Sequence, residues 1–119
     1  MARSDFNYIP VNQTLSTINP TWRTSFPVEL SAGQNVVDDG YLLITVSQVS
    51  SDDHRIFINN VPLTGFDIPP APGDSLAWFT YMDRIQEGAL KGGINEVRID
   101  HIGRDVFKVK DLVIHWREA

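Results

Sequence analysis

The stretch Gly40-Tyr41-Leu42-Leu43-Ile44-Thr45-Val46-Ser47-Gln48-Val49 decides the fold class. Leu42, Ile44 and Val46 alternate with Tyr41, Leu43, Thr45 and Ser47, a period of two that gives a strand one apolar face and one mixed face. Because the mixed face is itself half apolar, the strand is expected in the middle of a sheet. Outward from it the same period recurs. Phe26, Val28 and Leu30 mark a strand over residues 24–30, at an edge or a start because Pro27 lacks an N–H. Ile56 and Ile58 mark another over 54–63, interrupted at Asn59-Asn60, a pair that tolerates a left-handed backbone. Leu76, Trp78, Thr80 and Met82 alternate with Ala77, Phe79 and Tyr81 over 75–82, and Val97 and Ile99 oppose Glu96, Arg98 and Asp100 over 94–102. Over 106–116 the phase of Phe107 and Val109 slips by one residue before Leu112, Ile114 and Trp116. A β-bulge at Lys110-Asp111 would restore a single core face.

The remaining segments read as connections. Residues 31–40 are turn-rich, Ser50-Ser51-Asp52-Asp53 is a polar loop, and 68–73, with Pro69, Pro70 and Pro72, is a surface crossover. Residues 83–90 have room for one helical turn before Gly92-Gly93. Residues 1–22 form either an irregular N-terminal arm or an edge strand around Phe6, Tyr8 and Val11. Composition agrees, since eleven Val, eleven Ile and seven Thr stand against six Ala, and eleven Asp against four Glu. Branched side chains suit a pleated surface, while Asp favours turns over helix interiors. A chain of 119 residues with six or seven strands and no helix between them predicts one all-β domain over 1–119, a two-sheet antiparallel sandwich.

Zero cysteines exclude disulfides, thiolate zinc sites and cysteine nucleophiles. A net charge of −5 opposes phosphate backbones and anionic lipid, so neither nucleic acid nor membrane is an expected partner. No apolar run approaches the ~20 residues of a membrane-spanning helix, and residues 1–10 lack the pattern of a signal peptide.

Three short patterns carry a resemblance. Arg55-Ile56-Phe57-Ile58-Asn59-Asn60-Val61-Pro62-Leu63 is a strand ending in an Asn-centred turn. Leu90-Lys91-Gly92-Gly93-Ile94-Asn95-Glu96-Val97-Arg98-Ile99 enters a late strand through a glycine turn and a backbone-bonding Asn, and Phe107-Lys108-Val109-Lys110-Asp111-Leu112-Val113-Ile114 is a closing strand. In this order they resemble the galactose-binding-like jelly roll of carbohydrate-binding modules and of the sugar-binding domain of β-galactosidase-type glycoside hydrolases. The resemblance implies a jelly-roll topology and a non-catalytic module that binds carbohydrate or another small polar ligand. Such domains often hold a calcium between an early acidic loop and the closing strand. Asp38 and Asp39 match the first and Asp111 the second, but Lys110 stands where a second acid is common, and a hard cation needs six to eight oxygens. No metal and no cofactor are expected.

Catalytic candidates are few. In an extended chain Asp53 and His54 point to opposite sides, so Asp52-Asp53-His54 reads as a solvated loop. No Gly-x-Ser-x-Gly elbow is present, and Gly92-Gly93 lacks the Lys-Ser/Thr of a phosphate cradle. An enzyme would require His101 and His115 to meet with an acid between them, and otherwise none is expected. Binding is better supplied, because aromatic rings stack on sugars while acids, amides and guanidinium groups bond the hydroxyls. Trp116 and Trp78 fall in core phase, which leaves Trp22 as the exposed indole. The expected ligand-binding residues are Trp22, Asp52, Asp53, His54, Tyr81 and Arg84, on a shallow rim. The alternative is an assembly module, a homo-oligomer or a subunit with a protein partner, whose edge strands and N-terminal arm engage other chains.

Overall fold

The computed structural model describes residues 3–51, 53–63, 68–70 and 76–119. Eight strands run in chain order: β1 Arg3–Leu15, β2 Thr21–Val28, β3 Val36–Ser47, β4 Arg55–Ile58, β5 Val61–Pro62, β6 Trp78–Ile85, β7 Gly93–Asp100 and β8 Phe107–Glu118. They form two four-stranded sheets, β1-β8-β3-β6 and β2-β7-β4-β5, with every pairing antiparallel. That order, in which each sheet takes strands from both ends of the chain, is a jelly roll. No helix occurs among the described residues, and hence none long and apolar enough to cross a membrane.

The core lies between the sheets. Ile44 and Ile114 enter it from one side, Ile58 and Val97 from the other, and all four are buried to 1% exposure or less. β3 is central, flanked by β8 and β6, as its two-faced pattern predicts. The bulge in β8 is present: Asp111 takes φ 73°, and the β3–β8 register slips between Ile44, opposite Leu112, and Val46, opposite Val109. Phe107, Val109, Leu112, Ile114 and Trp116 thereby share one buried face. Asn59 and Asn60, at φ 50° and 65°, make the two-residue turn between β4 and β5.

Of the two readings of the N-terminal segment, the edge strand holds: residues 3–15 are β1, paired with β8 from Arg3 opposite Glu118 to Leu15 opposite Phe107. Other expectations need correction. Residues 83–85 continue β6, and the helical turn expected after them is a tight turn in which Ala89 N–H donates to the Gln86 carbonyl. Trp78 lies on the outer face, 42% exposed under the Lys110 ammonium, whereas Trp22 is half-buried against the core. With both faces of β6 apolar, pattern leaves its phase open. Pairing with β3 turns Phe79 and Tyr81 toward the interior. The proline crossover falls partly outside the described residues, within which Ile68 is buried.

Candidate functional site

Two places gather chemistry-bearing side chains. The first lies where β7 ends and β4 begins. Val97, Ile99 and His101 share the inward phase, so His101 is carried into the interior, and β4 is entered through His54, whose side chain is wholly buried. Asp105, on the loop between β7 and β8, joins them. His54 Nε2 lies 3.0 Å from Asp105 Oδ2, and Ile102 N–H donates to His54 Nδ1 at 3.0 Å. Since Nδ1 accepts, Nε2 carries the proton and donates to the carboxylate. His101 Nε2 likewise donates to the Asp105 carbonyl at 2.6 Å, with Oδ1 3.0 Å from the same nitrogen. Asp105 Oδ2 also accepts Ser50 N–H at 2.9 Å and Ser51 N–H at 3.2 Å. Phe107 packs on both imidazoles, at 4.4 and 5.7 Å between centroids.

These three residues are the one cluster with metal-ligand composition among the described residues, their ligand atoms within 4.8 Å of one another. The donor set does not fit a cation. Both Nε2 atoms hold protons that they donate, and a metal at His54 Nε2 would drive the proton onto Nδ1, where Ile102 N–H already points. The cluster therefore acts as a pin between two loops. Burial keeps the His54 imidazole below its ordinary value against the opposing pull of Asp105. Burial would raise the Asp105 carboxyl, but hydrogen bonds from His54 and Ser50 N–H outweigh it and hold it below its ordinary value.

The second place is an open cleft of about 320 Å³ at the β1–β2 edge of the sandwich, lined by Asp5, Phe6, Asn7, Pro27, Glu29 and Trp116. The inward phase of β1 that supplies Ile9, Val11 and Leu15 to the core continues toward the N-terminus as Asn7 and Asp5. Polar residues in a core-facing register open the seam between the sheets. Asn7 Nδ2 spans it, donating to the Pro27 carbonyl at 2.8 Å. Trp116, opposite Asp5 in the β1–β8 register, is 3% exposed, and its Nε1–H has no hydrogen-bond partner among the described residues. A buried donor without an acceptor costs roughly 1–3 kcal/mol.

The residues expected on one rim do not share one. Trp22 sits on β2, the edge of one sheet, while Tyr81 and Arg84 sit on β6, an edge strand of the other. Tyr81 packs against the core, and Arg84 pairs with Asp39 at 3.7 Å. Asp53 is exposed beside the pin, His54 is inside it, and Asp52 lies outside the described residues. His115 does not meet His101, because it stands on β8 with its ring stacked on Phe6. The acids matched to a calcium loop are separately engaged, Asp111 by the Tyr8 hydroxyl at 2.5 Å and Asp38 by Arg117 at 3.3 Å. Asp105, Asp5 and Glu29 were not legible as site residues from motifs. The signals were a histidine and two polar residues standing in core phase.

A family model described as "Family of unknown function (DUF7383)" matches residues 4–118. No curated protein matches the sequence. The structure is similar to part of the uncharacterized protein lmo2446 from Listeria monocytogenes EGD-e, solved in complex with α-D-glucose, β-D-glucose, magnesium and calcium. That match has 19% identity and a TM-score of 0.52, over 77% of this chain and 8% of that one. It is also similar to part of dimeric latent PorU from Porphyromonas gingivalis, at 8% identity and a TM-score of 0.54, over 98% of this chain and 12% of that one. A weaker match, at 18% identity and a TM-score of 0.49, covers 77% of this chain and 8% of the cycloalternan-forming enzyme from Listeria monocytogenes in complex with pentasaccharide substrate. The chain thus spans about a tenth of the solved proteins it resembles, and at these identities the likeness is one of fold.

Proposed function

The chain belongs to DUF7383, a family of unknown function, through residues 4–118, and from that premise we propose that it is a non-catalytic carbohydrate-binding module whose site is the β1–β2 cleft. The unpartnered Trp116 Nε1–H carries the reading, set among Asp5, Asn7 and Glu29. Sugar hydroxyls are at once donors and acceptors, so one saccharide can accept from the indole and donate to the carboxylates. The jelly-roll order and the glucose-complexed neighbour favour a galactose-binding-like module over other uses of the fold. A non-catalytic role is favoured by the His54–Asp105–His101 cluster, in which both nitrogens of His54 and Nε2 of His101 are committed to hydrogen bonds within the fold.

In an amide and indole ¹H–¹⁵N spectrum, mono- and oligosaccharides at millimolar concentration are expected to move the Trp116 indole signal. The Trp116→Phe variant, which removes the donor and shrinks a buried ring, so that its thermal unfolding is measured alongside, is expected to weaken binding about five- to tenfold, the value of one hydrogen bond. An indole signal unmoved by every sugar in the panel rejects the cleft as a saccharide site.

One observation favours assembly as the second reading: the outer face of the β1-β8-β3-β6 sheet exposes Phe6, Tyr8, Tyr41, Trp78 and Met82. Exposed apolar faces are the usual ground for association. The mass in solution separates the readings, since a stable oligomer broken by Tyr8→Glu and Met82→Glu, with no sugar response, supports assembly. Deletion of residues 1–20 would be uninformative, because it removes β1 from the sheet.

A further inference from the structure

We propose that the β1–β2 cleft is selective for amino sugars, glycosyl units carrying a free ammonium, over their neutral counterparts; this rests on the carbohydrate reading above and narrows it. None of the cleft-lining residues is cationic, while Asp5 and Glu29 are carboxylates. Asn7 spends one of its two amide N–H groups on the Pro27 carbonyl, which fixes the amide and leaves its carbonyl oxygen as a further acceptor beside the carboxylates. Behind them Glu118 occupies the same inward face two residues beyond Trp116, wholly buried, its Oε1 held by Arg3 and its Oε2 without a partner among the described residues. The cleft is thus lined by two carboxylates and no cation, with the Glu118–Arg3 pair behind it. The indole N–H of Trp116 asks for the opposite of what the carboxylates ask for, an acceptor oxygen.

A 2-amino-2-deoxy sugar carries both groups on adjacent carbons: a hydroxyl oxygen to accept from Nε1 and an ammonium to donate to a carboxylate. A neutral hexose satisfies the indole and leaves the negative potential uncompensated, a uronic acid adds to it, and a simple polyamine answers the charge but not the indole. Charge-assisted hydrogen bonds are roughly twice as strong as neutral ones.

The test compares four probes on the full chain at a mildly acidic pH, where a sugar amine is protonated and carboxylates are ionised. They are a β-1,4-linked glucosamine tetramer, its N-acetylated counterpart, the corresponding glucose tetramer, and spermine. Calorimetry supplies Kd, and the Trp116 indole signal reports the place. The glucosamine tetramer is expected to bind about tenfold or more tighter than either neutral tetramer, a gap of ~1.4 kcal/mol. The gap is expected to narrow with added salt and to close in the Asp5→Asn/Glu29→Gln double variant, whose thermal unfolding checks that it remains folded. Equal affinity for the three sugars overturns the selectivity and leaves the carbohydrate reading standing. Spermine binding as tightly as the aminated tetramer also overturns it, leaving an unspecific acidic patch. No sugar moving the indole overturns both.

Discussion

Replacing Asp105 by alanine is expected to lower the unfolding free energy by about 3 kcal/mol, because it strands a proton inside a buried ring. His54 Nε2–H loses its acceptor at 0% side-chain exposure, and it cannot turn its other nitrogen to use, since Nδ1 holds Ile102 N–H. Each stranded buried donor costs about 1–3 kcal/mol. The N–H groups of Ser50 and Ser51 also lose Asp105 Oδ2, but they lie nearer the surface and recover water in part. For a domain of this size the loss corresponds to roughly 10 °C or more in Tm.

The same site sets a pH signature. The folded chain keeps His54 neutral, whereas the unfolded chain takes up a proton there below about pH 6.5, so stability falls as the pH drops through that value. The depressed Asp105 carboxyl stabilises above the unfolded carboxylate value near 3.9, and that contribution disappears as the pH falls below it. Urea midpoints measured from neutral to acid pH should show both losses in the parent and only the first in Asp105→Ala. A variant within about 0.5 kcal/mol of the parent at neutral pH would contradict the pin.

The second large effect is expected at Asn95, whose amide is 2% exposed and fully used. Its Oδ1 accepts from Asn59 Nδ2 at 2.7 Å and Lys91 N–H at 3.0 Å, and its Nδ2 donates to the carbonyls of Lys91 at 2.8 Å and Gly93 at 3.1 Å. Asn59 in turn accepts Glu96 N–H at 2.9 Å and donates to the Ala89 carbonyl at 2.8 Å. The two amides fasten the β4–β5 turn to the entrance of β7. Asn95→Ala empties this network and is expected to cost about 2–4 kcal/mol. Asn95→Asp keeps the acceptor but turns a carboxylate toward two carbonyls. Its folded pKa is therefore raised, and its penalty should shrink as the pH falls through that raised value. Paired with Asn59→Ala, the Asn95→Ala loss should fall short of additivity by about 1 kcal/mol or more; strict additivity would mean that the amides act separately.

Both networks show what a sequence displays and what it hides. The Asn95 turn and the Asp111 bulge were legible because each is local: a glycine pair before an Asn, and a phase slip within ten residues. The central place of β3 followed from its two apolar faces. The orientation of Trp78 was not legible, because both faces of β6 are apolar and only its pairing with β3 chooses between them. Asp105 was hidden because it meets His54 across 51 positions, and the cleft because it joins β1, β8 and the end of β2. Asp52, Asp53 and His54 drew attention as a chemical cluster, yet in an extended backbone neighbours diverge, and His54 found its acid elsewhere.

The pairing of β1 with β8 brings the first and last strands side by side, Arg3 opposite Glu118. Tension applied at the two ends therefore peels this ladder rung by rung instead of shearing it all at once. The third rung to part is Asp5 opposite Trp116, a wall and the floor of the cleft. Load on the ends would therefore part the Asp5–Trp116 pair that lines the cleft before it reached the rungs from Ile9 to Leu15 that cover the core.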